Sequence, residues 1–409
     1  MLMDERSRFI VGVDVGTENI RVVAGEVLDE GKIAIVGYSE GKSAGMRKGV
    51  PANLTGPAEA IDRVLGEVER MSGREVRAAY LSINGAQILT TRTEGMIAVG
   101  TVEHEISEID LMRVEDVAVM GRIPANRAVL NVVPLEYALD GQRGIKDPIG
   151  MSGARLEMRA CVISALVPNF ENLKKVAETA NIEKVGGVVP SVVAGSKAVL
   201  SERQKENGVA VIDIGATTTG VAVFEEGDLQ YVGVVPVGSN NITNDLAIVL
   251  AIDIDMAEEI KQRFITGDFK AEKSAVIKVG KEERVFERKE VEEVVKARLE
   301  EIFGEIRKKL KLVKYDQRLP EGVVLIGGGA KMRDIELFAK QTLEASVKVG
   351  APIKLEGVLD ATKKPEFATA IGLVLGAVEE QRMVVRSSTY KNSKNEKKEG
   401  FLKRFLGKF

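Results

Sequence analysis

The sequence predicts an α/β protein built twice on one plan, as two lobes around a cleft, with a small α/β module inserted. Two short segments about two hundred residues apart carry most of that prediction: Gly12-Val13-Asp14-Val15-Gly16-Thr17 and Val211-Ile212-Asp213-Ile214-Gly215-Ala216-Thr217-Thr218. Each reads as an apolar strand ending in an Asp, a Gly turn with hydroxyl residues, and a second apolar strand. The third observation is that residues 84–166 hold strands and a helix of their own.

In chain order, Phe9 to Val13 lead into the first turn and Ile20 to Ala24 lead out. The inserted stretch carries an extended segment at Ile88 to Val99, a helix from Glu108 to Gly121 capped by Ser107, and strands at Val129 to Leu139 and Leu156 to Leu166. Turns are expected at Asp140-Gly141 and Asp147-Pro148. Val209 to Ile212 and Val221 to Phe224 flank the second turn, and Val323 to Ile326 is a buried-strand pattern running into Gly327, Gly328 and Gly329.

Such turns suit a phosphate. Glycine admits positive φ and brings backbone N–H groups close to an anion, while Thr hydroxyls add donors. The carboxylate beside each turn, Asp14 or Asp213, suits a hydrated Mg2+, which keeps several waters and takes few protein oxygens alongside phosphate oxygens. One Asp-x-Gly turn alone is equally an ordinary hairpin. Two of one design, facing each other, would clamp a polyphosphate. The glycine triplet lets backbone approach a flat ligand closely, although alone it also reads as a plain loop.

Bulk properties narrow the function. With 409 residues the chain can bury a sizeable core and should divide into several domains. A formal net charge of −3 gives no overall attraction to nucleic acid. One Cys, Cys161, excludes an internal disulfide framework, and one His, His104, offers neither a metal cluster nor a conventional triad. Metal is therefore expected only as Mg2+ brought with nucleotide. Met1 to Arg8 is short and charged, without the apolar region of a signal peptide, and no apolar run reaches the roughly 18 residues of a spanning helix.

The order of a first phosphate hairpin, a second one and a strand running into Gly-Gly-Gly resembles the actin, Hsp70 and sugar-kinase superfamily of ATP-binding proteins. Pro365-Glu366-Phe367-Ala368-Thr369-Ala370-Ile371-Gly372 resembles its closing helix, where Ala and Gly permit close packing of the two halves. Val237-Gly238-Ser239-Asn240-Asn241 and Glu258-Glu259-Ile260-Lys261 resemble its nucleotide-side loop and helix. On that resemblance, ATP is held by Asp14, Gly16, Thr17 and Asn19, by Asp213, Gly215, Ala216, Thr217 and Thr218, by Gly238 and Asn241, by Glu258 and Lys261, and by Gly327, Gly328 and Gly329. Glu258 and Lys261 also read as a solvated i,i+3 ion pair.

Hsp70 relatives have no insertion at residues 84–166, and actin places its extra subdomain differently. Gly45-Met46-Arg47-Lys48-Gly49-Val50, Leu81-Ser82-Ile83-Asn84-Gly85, Val132-Val133-Pro134-Leu135-Glu136-Tyr137 and Pro148-Ile149-Gly150-Met151-Ser152-Gly153 are similar to stretches of the bacterial cell-division FtsA family. The similarity runs from Phe9 to Phe409. The expected division is 1–83 as first lobe core, with its closing helix at about 365–384; 84–166 as the insertion; 167–239 with 316–364 as second lobe core; and 240–315 as nucleotide-side subdomain.

The C-terminus can be read from its residues alone. Residues 385–400, polar and lysine-rich from Ser387 onward, are expected to be a flexible linker. In residues 401–409, Phe401, Leu402, Phe405, Leu406 and Phe409 share one helical face, with Lys403 and Arg404 on the other. That face is too short to span a bilayer and suits its interface. From Lys391 onward seven Lys or Arg stand against two Glu, a balance of +5 that favours an anionic membrane surface. A helix docked on the protein's own body or in a partner's groove is the alternative.

The FtsA resemblance implies an actin-like protein on the cytoplasmic side of the cell membrane at the division septum, self-associating into filaments, tethering FtsZ and recruiting later division proteins. The FtsZ C-terminal peptide would dock on 240–315, where the helix Lys289 to Leu312 carries Lys296 and Arg298. A solvated charged face balanced by Glu292, Glu293, Glu300 and Glu301 is the other reading. Where many superfamily members have a longer glycine run followed by an Asp, this chain has Ala216, Thr217 and Gly220, which leaves ATP turnover open. A small-molecule kinase and a type IV pilus assembly protein are the competing classes.

Overall fold

The computed structural model describes residues 8–28, 32–266, 274–279, 282–315, 319–353, 355–357 and 362–391. The proposed linker from 392 and the helix with Phe401, Leu402, Lys403, Arg404, Phe405, Leu406 and Phe409 lie outside the described residues.

The two lobes repeat one sheet. In the first, the strand order is Lys184–Pro190, Ala78–Ile83, Phe9–Val15, Asn19–Val27, Ile33–Lys42 and a short Glu356–Gly357. In the second it is Asp228–Val235, Thr219–Glu225, Val209–Ile214, Val323–Ile326 and Val347–Val349. In both, the strand before the Gly turn pairs antiparallel with the strand after it and parallel with a later one. Every residue of Val209–Ile214 is buried, as a strand covered on both faces requires.

Alternation then divides the second sheet between two cores. Val209, Val211, Ala222 and Val324 join the first lobe and the closing helix in one core. Ala210, Ile212, Ile214 and Val223 face the other way, against Val295, Leu299, Phe303 and Ile306 of the helix Arg288–Leu312. The last helix, Ala368–Lys391, packs on the helix Ser191–Val199 so closely that a Cβ at Gly372 would run into the Ala194 carbonyl. This helix continues through residues 385–391, which were expected to open the linker; between Gly376 and Gly400 the chain has neither Gly nor Pro to stop it.

The insertion is an antiparallel sheet in the order Leu89–Ala98, Arg155–Leu166, Arg127–Leu139, Gln142–Ile145, with the helix Glu108–Val119 across it. Ser107 and Asp110 form a capping box at the start of that helix. The nucleotide-side subdomain adds a hairpin, Ser274–Val279 with Glu282–Glu287, that the sequence reading did not anticipate. Among the described residues no helix is long and apolar enough to cross a membrane.

Candidate functional site

The two Gly turns meet across a cleft of about 1040 Å3, counting its opening to solvent. The Thr217 hydroxyl donates to Thr17 Oγ1 at 3.0 Å, and Thr17 Oγ1 also accepts from the Gly49 N–H at 3.0 Å. Hairpin register decides what stands opposite each acid: Asp14 pairs with Arg21, whereas Asp213 pairs with Gly220. Ser82, on the neighbouring parallel strand, accepts from the Val15 N–H at 2.9 Å and donates to Asp14 Oδ1 at 2.7 Å.

That difference sets the electrostatics. Burial raises the Asp14 carboxyl above its usual range, and Arg21 and the Ser82 hydroxyl pull it part of the way back. Asp213 lacks a cross-strand cation. Burial and then the charge of Asp14 push it up to about 7, with Arg21 pulling the other way. Arg21 itself is held by Glu40 at 2.6 Å and lies 5.9 Å from the Phe367 ring centroid. The cleft thus carries one buried acid, one half-buried acid and one buried guanidinium.

The glycine loop completes one wall. Gly327 has φ +86, and a Cβ there would strike Asp213 Oδ1, so glycine is needed on both counts. Its N–H donates to the Pro365 carbonyl at 3.0 Å, and Lys331 pairs with the buried Glu366 at 2.9 Å, which ties the loop to the start of the closing helix.

On the nucleotide side, the Ser239 and Asn240 N–H groups donate to the Gly215 and Ala216 carbonyls at 2.9 and 2.7 Å. Asn241 Oδ1 accepts from the Gly238 N–H at 3.1 Å, and Asn240 Nδ2 reaches Glu18 of the first lobe at 3.0 Å. Glu258 and Lys261 do form the i,i+3 pair, at 2.6 Å, yet Lys261 is only 4% exposed and both line the cleft. Burial opposes the Glu258 charge, but hydrogen bonds from Lys261, Thr243 and Gln262 outweigh it and hold its carboxyl low.

Asp14, Gly16, Thr17, Asn19, Asp213, Gly215, Ala216, Thr218, Glu258, Lys261 and Gly327 to Gly329 all line this cleft. Thr217, Gly238 and Asn241 stand behind it, bridging the turns or fixing the loop. Sequence reasoning missed Arg21, Glu40, Lys331 and Glu366 as lining residues, and Ser191 and Thr369, which reach the cleft from two helices. Arg21 had a readable signal, since a hairpin closing at Gly16 sets it across from Asp14.

The helix Arg288–Leu312 gives a different picture of the docking residues. Arg298 makes a two-pronged pair with Asp245, 2.6 Å from Nε and 2.7 Å from Nη2, and a third contact with Glu301 at 2.6 Å. Lys296 pairs only loosely, 3.9 Å from Glu300. The charges are therefore largely matched within the subdomain. Beside Asp245 on the same helix, Ile248 and Val249 are 77% and 62% exposed.

A family model described as cell division protein FtsA matches residues 210–372, and one described as the SHS2 domain inserted in FtsA matches residues 85–164. Cell division protein FtsA of Pseudomonas aeruginosa is 32% identical over 395 residues, covering 94% of this chain and 94% of that protein. Among solved structures, the PilM–PilN type IV pilus biogenesis complex is similar with a TM-score of 0.66 at 17% identity, over 90% of this chain and 98% of that one. MreB5 of Spiroplasma citri bound to ADP is similar with a TM-score of 0.50 at 15% identity, over 95% and 99%. These structures share an actin-like α/β fold with this chain.

Proposed function

Because this chain belongs to the FtsA family of cell-division proteins, we propose that it is a nucleotide-dependent tether for the division ring. In this reading it binds ATP with Mg2+ in the cleft, self-associates into filaments on the cytoplasmic side of the membrane at the septum, and holds FtsZ there for later division proteins to join. The observation that carries it is the meeting of the two turns through Thr17 and Thr217, beside the buried Asp213 and the half-buried Asp14. A similarly folded protein, MreB5, has been solved with ADP.

Carboxylates, hydroxyls and glycine backbone together make the donor set that a hard cation and phosphate oxygens require. Mg2+, when bound, would supply the positive charge that favours ionised Asp213, and the triphosphate would accept from the N–H and hydroxyl groups of the turns. Gly16, Gly215 and Thr218 hold phosphate, Asp14 and Asp213 the hydrated cation, and Glu258 and Lys261 the nucleoside. If the turns clamp phosphates, ATP should bind at least about 100-fold more tightly than AMP in the presence of Mg2+, roughly 2.7 kcal/mol. Isothermal titration with both nucleotides checks this, and equal affinities would remove the clamp.

The terminal residues 401–409 supply the anchor: three Phe rings in the acyl boundary, and basic groups contributing on the order of 1 kcal/mol each near an anionic leaflet. One such anchor attaches weakly, so filament formation multiplies it. For FtsZ, an acidic peptide would compete with Asp245 and Glu301 for Arg298 and lie against the exposed Ile248 and Val249. Arg298→Glu should therefore release FtsZ from membranes that still carry this protein.

A further inference from the structure

The duplicated sheet gives each acid of the cleft the same two flanking places. On the hairpin side, Asp14 faces Arg21 and Asp213 faces Gly220. On the parallel side, Val13 stands beside Leu81, and the same register carried along both strands sets Asn84 alongside Gly16. In the second lobe Asp213 stands beside Ile326, so the matching place, alongside Gly215, holds Gly328. The first lobe thus flanks its turn with a guanidinium and an amide where the second has two glycines. Arg21, Asn84 and Gly328 all line the cleft.

Both first-lobe side chains have donors to give. Arg21 is held through Nη2 by Glu40 at 2.6 Å, with its Cζ 5.9 Å from the Phe367 ring centroid. Its Nε is sealed, whereas Nη1 is not and has no hydrogen-bond partner among the described residues. A guanidinium has five N–H groups, so Glu40 can fix its plane and leave the other edge for an anion. Asn84 Oδ1 accepts from the Gly85 N–H at 2.8 Å and its carbonyl accepts from Gln87 Nε2 at 2.9 Å, while Nδ2 has no partner among the described residues. The Gly49 loop closes that corner, since its N–H donates to Thr17 Oγ1 and a Cβ at Gly49 would run into Gly85 and Asn84. In the second lobe a Cβ at Gly328 would meet nothing within 4 Å, which makes that side open room.

We propose that Arg21 and Asn84 read the terminal phosphate of the nucleotide, so that the first lobe discriminates a nucleoside triphosphate from a diphosphate. This rests on the reading of the cleft as an ATP site and gives the two lobes different tasks. The open side at Gly328, with Glu258 and Lys261 of the nucleotide-side subdomain, suits the nucleoside, and the donors of the first lobe suit the far end of the phosphate chain. The acids of that end are matched, Glu40 by Arg21 and Glu18 by Lys42 at 2.7 Å, so neither opposes a phosphate with its full charge. A hydrogen bond to a charged group contributes roughly tenfold or more in affinity.

The test measures ATP, ADP and AMP binding to the full chain by isothermal titration with saturating Mg2+. Wild type should prefer ATP to ADP by at least about tenfold. Arg21→Gln and Asn84→Ala should each bring that ratio down toward one. Arg21→Lys, which keeps the charge, should retain part of it, and Asn84→Asp, which sets a like charge against the phosphate, should lower it at least as far as Asn84→Ala. An ATP-to-ADP ratio of one in wild type, or an unchanged ratio in Arg21→Gln or Asn84→Ala, overturns the proposal. If ATP then still outbinds AMP, the cleft stands as a nucleotide site without this discrimination; if all three bind alike, the reading of the cleft falls with it. The wild-type titrations need no variant to fold.

Discussion

Replacing Asp213 by Asn is expected to weaken ATP binding by on the order of 100-fold, about 2.7 kcal/mol, while raising the melting temperature of the ligand-free protein. The two effects share one cause. Asp213 is buried, faces Gly220 across its hairpin where Asp14 faces Arg21, and feels the Asp14 charge, so its carboxyl titrates near 7. A folded-state value raised above the ordinary 3.8 gives stability that is fully present below about 3.8 and lost as pH rises through 7. Without metal and nucleotide, wild-type protein should therefore be less stable at pH 8 than at pH 6, by about 1.4 kcal/mol from this group, and melt correspondingly lower.

Asparagine keeps the shape and cannot ionise, so the variant should lose most of that pH dependence and gain most stability at pH 8. Calorimetry at both pH values, with an ATP titration, checks the pair of effects together. A variant that binds ATP normally would remove Asp213 from the cation and phosphate site. Stability exchanged against binding in one substitution marks a functional group more clearly than either loss alone.

Phe405→Glu is expected to abolish sedimentation with anionic liposomes while leaving ATP binding unchanged. Read as a helix, residues 401–409 would place Phe405 in the middle of an apolar face with Phe401, Leu402, Leu406 and Phe409. A carboxylate there opposes insertion by more than the lost ring, because an unpaired charge must enter the lipid interface. Lys403→Glu with Arg404→Glu should behave differently, losing binding on anionic vesicles chiefly, since the ring face is kept and only the leaflet attraction is reversed. Equal sedimentation of Phe405→Glu and wild type would return the terminal segment to a docking role.

The parts of the fold that depend on neighbouring residues were legible in the sequence. Both Gly turns, the strand into Gly327 and the capped helix after Ser107 lie where their local chemistry puts them. What depends on register or on distant partners was not. The Arg21 and Gly220 contrast appears only once each hairpin's pairing is set. Asp245 and Arg298 are 53 residues apart in sequence, so the helix read by itself offered Glu301 but not Asp245 as a partner for Arg298. Glu18 and Asn240 bridge the lobes from 222 residues apart. The last helix reaches Lys391, past the linker start expected at 385, because polar composition alone does not stop a helix.

Co-sedimentation of FtsZ with anionic liposomes tests the tether most directly. With wild-type protein and ATP present, FtsZ should pellet with the vesicles; with residues 401–409 removed, both proteins should stay in the supernatant. With Arg298→Glu, this protein should pellet and FtsZ should not. FtsZ that pellets equally with all three, or that stays soluble beside membrane-bound wild-type protein, would contradict the account.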